Sequence, residues 1–204
     1  MIKFGTIGAG FFALLVAASM AAAQQPQTVR VRGTIESVDG QVLNVKGRDG
    51  TLMTIKLADG APVRTVVRKS LADVKVNTFV GITAMPQPDG TQKAVEIHIF
   101  PEVLRGLGEG HRPWDLMPNS TMTNANVGSA VASVDGQELV LKYKDGEKKF
   151  IVPANVEVVM FAPASVADLK PGEKIFVAAA NKLPDGTLEA PNITVGRDGV
   201  SPPM

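Results

Sequence analysis

The sequence predicts an all-β protein in which a small β-barrel occurs twice, the two copies joined by an ordered linker. Three observations favour this fold class. Apolar and polar residues alternate along many short segments, as they do in half-buried strands. Asp-Gly pairs separate several of these segments and are typical of tight hairpins, because glycine accepts a positive φ. Helical periodicity is absent from most of the chain beyond its apolar N-terminal segment.

The second half of the chain repeats the first at a nearly constant spacing. The block Ser-Val-Asp-Gly-Gln occupies residues 37–41 and recurs at residues 133–137, an offset of 96. The block Ser-x-Ala-Asp-x-Lys occupies residues 70–75 and recurs at residues 165–170, an offset of 95. Further Asp-Gly blocks recur in the same order. The spacing therefore predicts an internal duplication.

Each copy is expected to contain three strands, a short helical turn and two further strands. Ser70 has the character of an N-cap for that turn. This order of elements is that of an OB-like barrel, and a pair of open β-sandwich halves is the alternative. The predicted strands cover residues 29–36, 42–46, 52–57, 78–85 and 92–100 in the first copy, and 127–134, 138–143, 148–152, 174–180 and 188–195 in the second.

Alternation also predicts which side chains fill the barrels. Residues of one face recur every second position along a strand, and the β-branched positions are expected to point inward. By the duplication, Ile35, Ile55, Ile97 and Ile99 are expected to be buried in the same way as Val131, Ile151, Ile193 and Val195.

The N-terminus has the features of a secretory signal peptide. Lys3 precedes an apolar segment, and Ala21 to Ala23 form a small-residue cleavage site. An uncleaved membrane anchor is the alternative. No later segment is long and apolar enough to span a membrane, so a periplasmic or secreted location is expected. The predicted organisation is a signal peptide (1–23), a first barrel (28–100), a linker (101–124), a second barrel (125–198) and a tail (199–204).

Composition argues against several classes of function. The formal net charge is +1 and only 5% of the residues are aromatic, which disfavours nucleic acid as a partner. The chain has no cysteine, so it contains neither a thiol nucleophile nor a disulfide. It also lacks the nucleophile elbow, the His-Glu-x-x-His helix and the phosphate-binding loop. No enzymatic activity is expected.

The linker concentrates the side chains that are suited to recognition. It contains the only tryptophan, and an indole offers a large apolar area with one N–H donor. We expect Trp114, Leu116 and Met117 to cover the seam between the barrels, with charged neighbours holding the loop in place. The candidate ligand or interface residues are His111, Arg112, Trp114 and Asp115.

A metal site is the alternative use of this segment. Imidazole with thioether suits copper, and imidazole with carboxylate suits zinc. The candidate ligands are His98, His111, Met117 and Met122, with Asp115 as a further donor. The competing interpretation of His98 is a solvated strand histidine, since its counterpart in the second copy is the ordinary polar residue Thr194.

Several of these segments together resemble a known group of proteins. The matching runs are Arg-Gly-Thr-Ile-Glu-Ser-Val-Asp-Gly at 32–40, the block at 70–75, and Gly-Glu-Gly-His-Arg-Pro-Trp-Asp-Leu-Met-Pro-Asn at 108–119. They are similar to an exported proteobacterial family of uncharacterised proteins with tandem OB-like domains. Some members carry the label metal ABC transporter permease, which requires several membrane spans. The resemblance covers the chain after the signal peptide and implies no catalytic residues.

The sequence therefore predicts a non-catalytic periplasmic or secreted binding or interaction protein. Its partner is expected to be a small ligand of unknown identity or a protein of the cell envelope. The alternative is a periplasmic protein that binds or handles copper or zinc through its linker histidines and methionines.

Overall fold

The computed structural model describes residues 27–133 and 136–202, and this part of the chain is all-β. The predicted signal peptide lies outside the described residues. The strands are β1 (Thr28–Asp39), β2 (Val42–Gly47), β3 (Leu52–Leu57), β4 (Val63–Lys69), β5 (Phe79–Pro86), β6 (Gln92–Ile99), β7 (Gly110–Pro113), β8 (Thr121–Ser133), β9 (Gly136–Tyr143), β10 (Gly146–Pro153), β11 (Glu157–Pro163), β12 (Lys174–Lys182), β13 (Leu188–Ala190) and β14 (Ile193–Val195).

Three single-turn 3-10 helices complete the secondary structure, at Leu71–Asp73, Glu102–Leu104 and Val166–Asp168. The first and third lie within the Ser-x-Ala-Asp-x-Lys blocks at residues 70–75 and 165–170, so the helical turn predicted at Ser70 is confirmed. In both turns the aspartate side chain accepts a hydrogen bond from the serine backbone N–H, at 2.9 Å in the first turn and 2.8 Å in the third. No helix in the described residues has the length and apolar character that crossing a membrane requires.

The strands close into two five-stranded barrels. In barrel I the strands β1, β2 and β3 are followed around the wall by β13 and β12, and β12 returns to β1. In barrel II the strands β8, β9 and β10 are followed by β6 and β5, and β5 returns to β8. Each barrel has one parallel pair, β3 with β13 and β10 with β6, which fits the predicted OB-like order.

The barrels do not coincide with the predicted boundaries of 28–100 and 125–198. Each barrel takes three strands from one half of the chain and completes its wall with strands from the other half. The physical reason lies in β4 and β11, which the sequence analysis did not predict as strands. Each runs onward in extended conformation and pairs with the other instead of turning back. The strands that follow therefore reach the opposite barrel.

The β4–β11 pair links the two barrels into one continuous sheet. Val66 lies opposite Phe161, and these two residues differ by 95, the offset of the sequence repeat. Pairs on either side match in the same way: Ile193 lies beside Val63 on β4, and Ile97 lies beside Val158 on β11. The two halves thus exchange strands about a local two-fold arrangement centred on Val66 and Phe161.

Three hydrophobic clusters follow from this arrangement. The interior of barrel I contains Ile35, Ile55 and Ile193, from both halves of the chain. The interior of barrel II likewise contains Ile97 and Ile99 beside strands of the second half. A third cluster fills the space between the barrels, and its members are Val66, Phe79, Phe100, Val159, Phe161 and Val200.

Two of the predicted core positions are wrong. Val131 is 60% exposed and Ile151 is 37% exposed. The hairpin between β9 and β10 pairs Tyr143 with Gly146 and is one residue shorter than its counterpart, so Phe150 replaces Ile151 opposite Leu139. Val131 lies near the exposed end of β8, beyond an irregularity in its pairing with β9. The other six predicted core residues, Ile35, Ile55, Ile97, Ile99, Ile193 and Val195, are buried.

Candidate ligand-binding site between the barrels

A hairpin of barrel II carries Trp114 across to barrel I. The strand β7 pairs with β8, and the loop between them begins at Trp114 and ends at Ser120. The Trp114 backbone N–H donates to the carbonyl oxygen of Ser120 at 2.8 Å. The Ser120 hydroxyl accepts from the Met117 N–H at 3.1 Å and lies 2.8 Å from the Met117 carbonyl oxygen. These bonds close the loop on itself and give the indole a defined position.

Three guanidinium groups surround the indole ring. Arg30 stacks over it with its guanidinium carbon 3.9 Å from the ring centroid, and the corresponding distances are 5.4 Å for Arg112 and 5.8 Å for Arg32. Asp115 bridges Arg30 at 2.7 Å and Arg32 at 2.9 Å. The hairpin of barrel II is therefore attached to strand β1 of barrel I by a cation–π stack and a carboxylate shared between two arginines.

A cavity of about 330 Å³ opens behind the indole, and we call it the inter-barrel cavity. Its apolar wall is built from four aromatic rings and two leucines, drawn from the linker, from β11 and β12, and from the residue after β6. This volume lies at the lower end of the range for small-molecule sites. The apolar wall residues are Phe100, Leu104, Leu107, Trp114, Phe161 and Phe176.

Five polar side chains also line this cavity, and one of them is Thr194 from β14. Arg64 comes from β4, Arg112 from β7, Asn124 from β8 and Asn192 from the residue before β14. Within the described residues, Arg64 has no ion-pair partner. The Trp114 Nε1 donor and the Asn124 Oδ1 acceptor are buried and have no hydrogen-bond partner there either. Buried polar atoms without partners are uncommon in folded proteins. The Asn124 Oδ1 lies on the side of Gly81 and the His98 ring, so it is the Trp114 Nε1 donor that points to an interaction that the protein alone does not supply.

Burial and neighbouring charges shift the pKa values of two charged side chains near the indole, Arg112 and Asp115. Burial lowers the pKa of Arg112, and the positive charge of Arg30 lowers it further. Burial acts to raise the pKa of the Asp115 carboxyl, but hydrogen bonds from Arg32 and Arg30 outweigh it and lower that pKa below its usual value. Asp115 is thus held ionised as the counter-ion of two arginines.

His98 is buried behind the cavity wall, contrary to the expectation of a solvated strand histidine. It is 0% exposed, and its ring packs edge-on against Phe100 at 4.5 Å and Phe161 at 5.4 Å between centroids. Alternation placed the imidazole correctly on the outer face of barrel II. That face is covered by the third hydrophobic cluster, which arises only from the packing of the two barrels. Burial, and then the charge of Arg112, lower the pKa of His98 to about 3.

Gly81 makes room for the His98 ring. The two residues are paired across β5 and β6, and a Cβ on Gly81 would lie 2.1 Å from the imidazole Cε1 and Nε2. At the matching position of barrel I, Phe176 is paired with Thr194. The large side chain there occupies the position of Gly81, and the smaller one occupies the position of His98. The Phe176 ring forms part of the cavity wall. Replacing His98 by threonine, the residue at its counterpart position 194, would therefore leave an unfilled space in a buried site.

The two histidines do not converge. His98, Gly81 and Asn124 form one row across β6, β5 and β8, and their side-chain atoms meet on one face of the sheet. His111 pairs with Thr123, the neighbour of Asn124, and its Nδ1 lies 2.7 Å from the Thr123 Oγ1. Because neighbouring residues of a strand point to opposite faces, the two imidazoles lie on opposite sides of the sheet.

This geometry keeps apart the two histidines of the predicted metal site, which comprises His98, His111, Met117 and Met122. Met122 is buried in the wall of barrel II, and Met117 lies in the loop. Across residues 27–133 and 136–202 no group of three or more histidine, cysteine or acidic side chains is placed to hold a metal ion. His111 instead pairs with Thr123, and burial lowers its pKa, with a smaller effect from Lys148.

Three of the four predicted ligand or interface residues lie at or beside the cavity, and the fourth does not. Arg112 and Trp114 line the inter-barrel cavity, Asp115 holds their loop against barrel I, and His111 faces away. Arg64 and Phe176 also line the cavity and were not predicted from the sequence. Their local signals are weak, since each sits in an alternating strand where an outward residue needs no special explanation. In comparisons with known proteins, the chain matches no family model, no curated protein and no solved structure.

Proposed function

We propose that this chain is an exported, non-catalytic binding protein whose ligand occupies the inter-barrel cavity. The proposal includes the signal peptide, the internal duplication and the periplasmic or secreted location predicted from the sequence. The observation that supports it best is the cavity itself. Four aromatic rings surround a space that also contains two arginines and two buried polar atoms without partners among the described residues. Apolar walls with a few convergent polar groups are typical of small-molecule sites.

The exchange of strands supports the same proposal. The cavity wall combines Phe100 and Arg112 from the barrel II side with Phe176 and Asn192 from the barrel I side. The β4–β11 bridge contributes Arg64 and Phe161 between them. Since both barrels and the bridge contribute, the site depends on the whole exchanged structure. A ligand in this cavity would contact barrel I, barrel II and the β4–β11 bridge.

A blocking substitution at the mouth of the cavity tests this proposal. Ala178 lines the cavity but is exposed, so a larger side chain there fills the opening without disturbing a core. Ala178→Leu is expected to weaken binding of the neutral fluorescent probe N-phenyl-1-naphthylamine at least about tenfold, a loss of about 1.4 kcal/mol. The measurement is a fluorescence titration, with the midpoint of urea unfolding as a check on stability.

Ala179→Leu is the matched control. Ala179 is also exposed and is the next residue in β12, but it does not line the cavity. The control protein should bind the probe as the wild type does. Equal probe affinity in the wild type and both variants would place the probe elsewhere and would count against the inter-barrel cavity as the binding site.

A further inference from the structure

We infer that the inter-barrel cavity binds an aromatic organic anion with one carboxylate head group. This inference rests on the proposed function and specifies the chemical class of its ligand. Three independent features of the cavity support it: the shape of its apolar wall, the balance of charge around it and the polar atoms that it leaves without partners.

The apolar wall is suited to a flat ring. Phe100, Phe161 and Phe176 are buried, and the Trp114 indole closes the side that faces the linker. The rings of Phe100 and Phe161 lie 5.5 Å apart and tilted at 52°. Aromatic groups prefer such tilted arrangements over flat sandwiches, so an aromatic ligand would find edges and faces at favourable angles. The apolar part of the ligand is therefore expected to be an aromatic ring.

The charge around the cavity is positive and incompletely balanced. Arg112 donates to the backbone carbonyl of Gly108 at 2.8 Å, and among the described residues neither it nor Arg64 has a carboxylate partner. Guanidinium groups favour carboxylates because their donors match both carboxylate oxygens. An anionic ligand would neutralise the positive charges of Arg64 and Arg112, for which the described residues provide no carboxylate.

The unpartnered atoms agree with this charge balance. The buried Trp114 Nε1 is a donor only, so it needs an acceptor, and a carboxylate offers several. Asn124 uses its amide N–H to donate to the Leu107 carbonyl oxygen at 3.0 Å, and its Oδ1 lies on the side of Gly81 and the His98 ring. The polar groups available to a ligand are therefore mainly donors, namely the Trp114 N–H and the guanidinium groups of Arg64 and Arg112. An anionic ligand can accept hydrogen bonds from more of these donors than a neutral ligand of the same shape.

A second group of cations lies on barrel I, outside this cavity. Lys46, Arg48 and Lys174 line a smaller cleft of about 220 Å³ that contains no aromatic ring. An inorganic anion would suit that cleft equally well, whereas an aromatic carboxylate requires the rings of the inter-barrel cavity. Arg32 lines this cleft and also lies beside Trp114, so the two locations are separated experimentally by Ala178, which lines the inter-barrel cavity and not the cleft.

The test compares 4-phenylbutyrate with its neutral amide, 4-phenylbutyramide. Calorimetric titration measures both affinities, and the emission of Trp114 reports whether the ligand reaches the cavity. A charge-assisted hydrogen bond contributes about 1.5–3 kcal/mol, so the carboxylate is expected to bind about tenfold to a hundredfold more tightly than the amide. Binding of the carboxylate should also change the tryptophan emission.

Arginine variants identify the group that recognises the charge. Arg64→Gln is expected to reduce the preference for the carboxylate about tenfold while leaving the affinity for the amide unchanged. Arg68→Gln is the matched control, since Arg68 lies four residues further along β4 and outside the cavity. The double variant with Arg112→Gln should abolish the preference.

Two results would overturn the inference. In the first, the wild type binds the carboxylate and the amide with equal affinity, and Ala178→Leu loses both. In the second, neither compound binds at millimolar concentration while N-phenyl-1-naphthylamine still binds. Either result would keep the cavity as the binding site but reject an anionic ligand. Failure of all three compounds would instead reject the proposed function.

Discussion

Lowering the pH from 7 to 4 is expected to cost the protein about 3 kcal/mol of unfolding free energy through His98 alone. The pKa of His98 falls from its ordinary value of 6.5 to about 3 on folding. The unfolded chain therefore binds a proton more readily than the folded chain. Stability is complete above pH 6.5 and decreases by about 1.4 kcal/mol per pH unit until the folded-state pKa is reached.

Urea unfolding at a series of pH values measures this effect, with His98→Leu for comparison. The variant lacks the titrating group, so its unfolding free energy should lose about 3 kcal/mol less than that of the wild type over the same interval. His111→Gln is the matched control and should change the profile less, because His111 is only partly buried. Parallel profiles for the wild type and His98→Leu would contradict the burial of His98.

Gly81→Ala is expected to destabilise the protein by about 2–3 kcal/mol, in the upper part of the usual overpacking range. The new Cβ would lie 2.1 Å from the His98 ring. That ring is fully buried and packs edge-on against Phe100 and Phe161. In a His98→Ala background the same change should cost about 1 kcal/mol, since the ring is gone and only the Asn124 Oδ1, 2.8 Å from the new Cβ, remains close.

Gly128→Ala is the control for this experiment. Its Cβ would meet only the flexible side chain of Lys142, which can move aside. The four proteins of the Gly81 and His98 cycle are compared by the free energy of urea unfolding. An equal cost of Gly81→Ala in both backgrounds would show that the imidazole does not occupy the space above Gly81.

The all-β class and the helical turns were predictable because their signals are local. Strand alternation and Asp-Gly turns reflect the pleat of a single strand and the φ of single residues. The turn after Ser70 depends on one aspartate three residues later, and the same spacing occurs at Ser165. None of these signals depends on which distant segment completes the sheet.

The exchange of strands was not predictable from such patterns. A strand such as β5 has the same inward and outward faces whether it joins β1 of its own half or β8 of the other. The deciding element is β4, whose pairing with β11 carries the chain across to the other barrel. The same limit applies to His98, because alternation indicates which face a residue occupies but not that another barrel covers the face.

The candidate site was predictable in part. Trp114 and Arg112 stood out because a linker seldom carries such side chains, and both line the cavity. Charged neighbours of Trp114 were expected to hold the loop, and one of them, Asp115, pairs with Arg30 and Arg32. The remaining wall residues come from strands that are distant in sequence and become neighbours only through the exchange.

Disulfide trapping tests most directly whether the two halves exchange strands, on which the inter-barrel site depends. The chain has no cysteine, so introduced thiols have no native competitor. Thr28 lies opposite Asn181 of the other half. Met85 is the counterpart of Asn181 in the first half, since it pairs with Lys93 as Asn181 pairs with Glu189. Paired strand positions are close enough for a disulfide.

The double variant Thr28→Cys with Asn181→Cys is expected to form an intramolecular disulfide under mild oxidation, identified by mass spectrometry of the linked peptides. Thr28→Cys with Met85→Cys should remain reduced under the same conditions, because these two residues belong to different barrels. Rapid disulfide formation in the Thr28 and Met85 variant, with none in the Thr28 and Asn181 variant, would contradict the exchange of strands. It would mean that each barrel is built from one half of the chain alone.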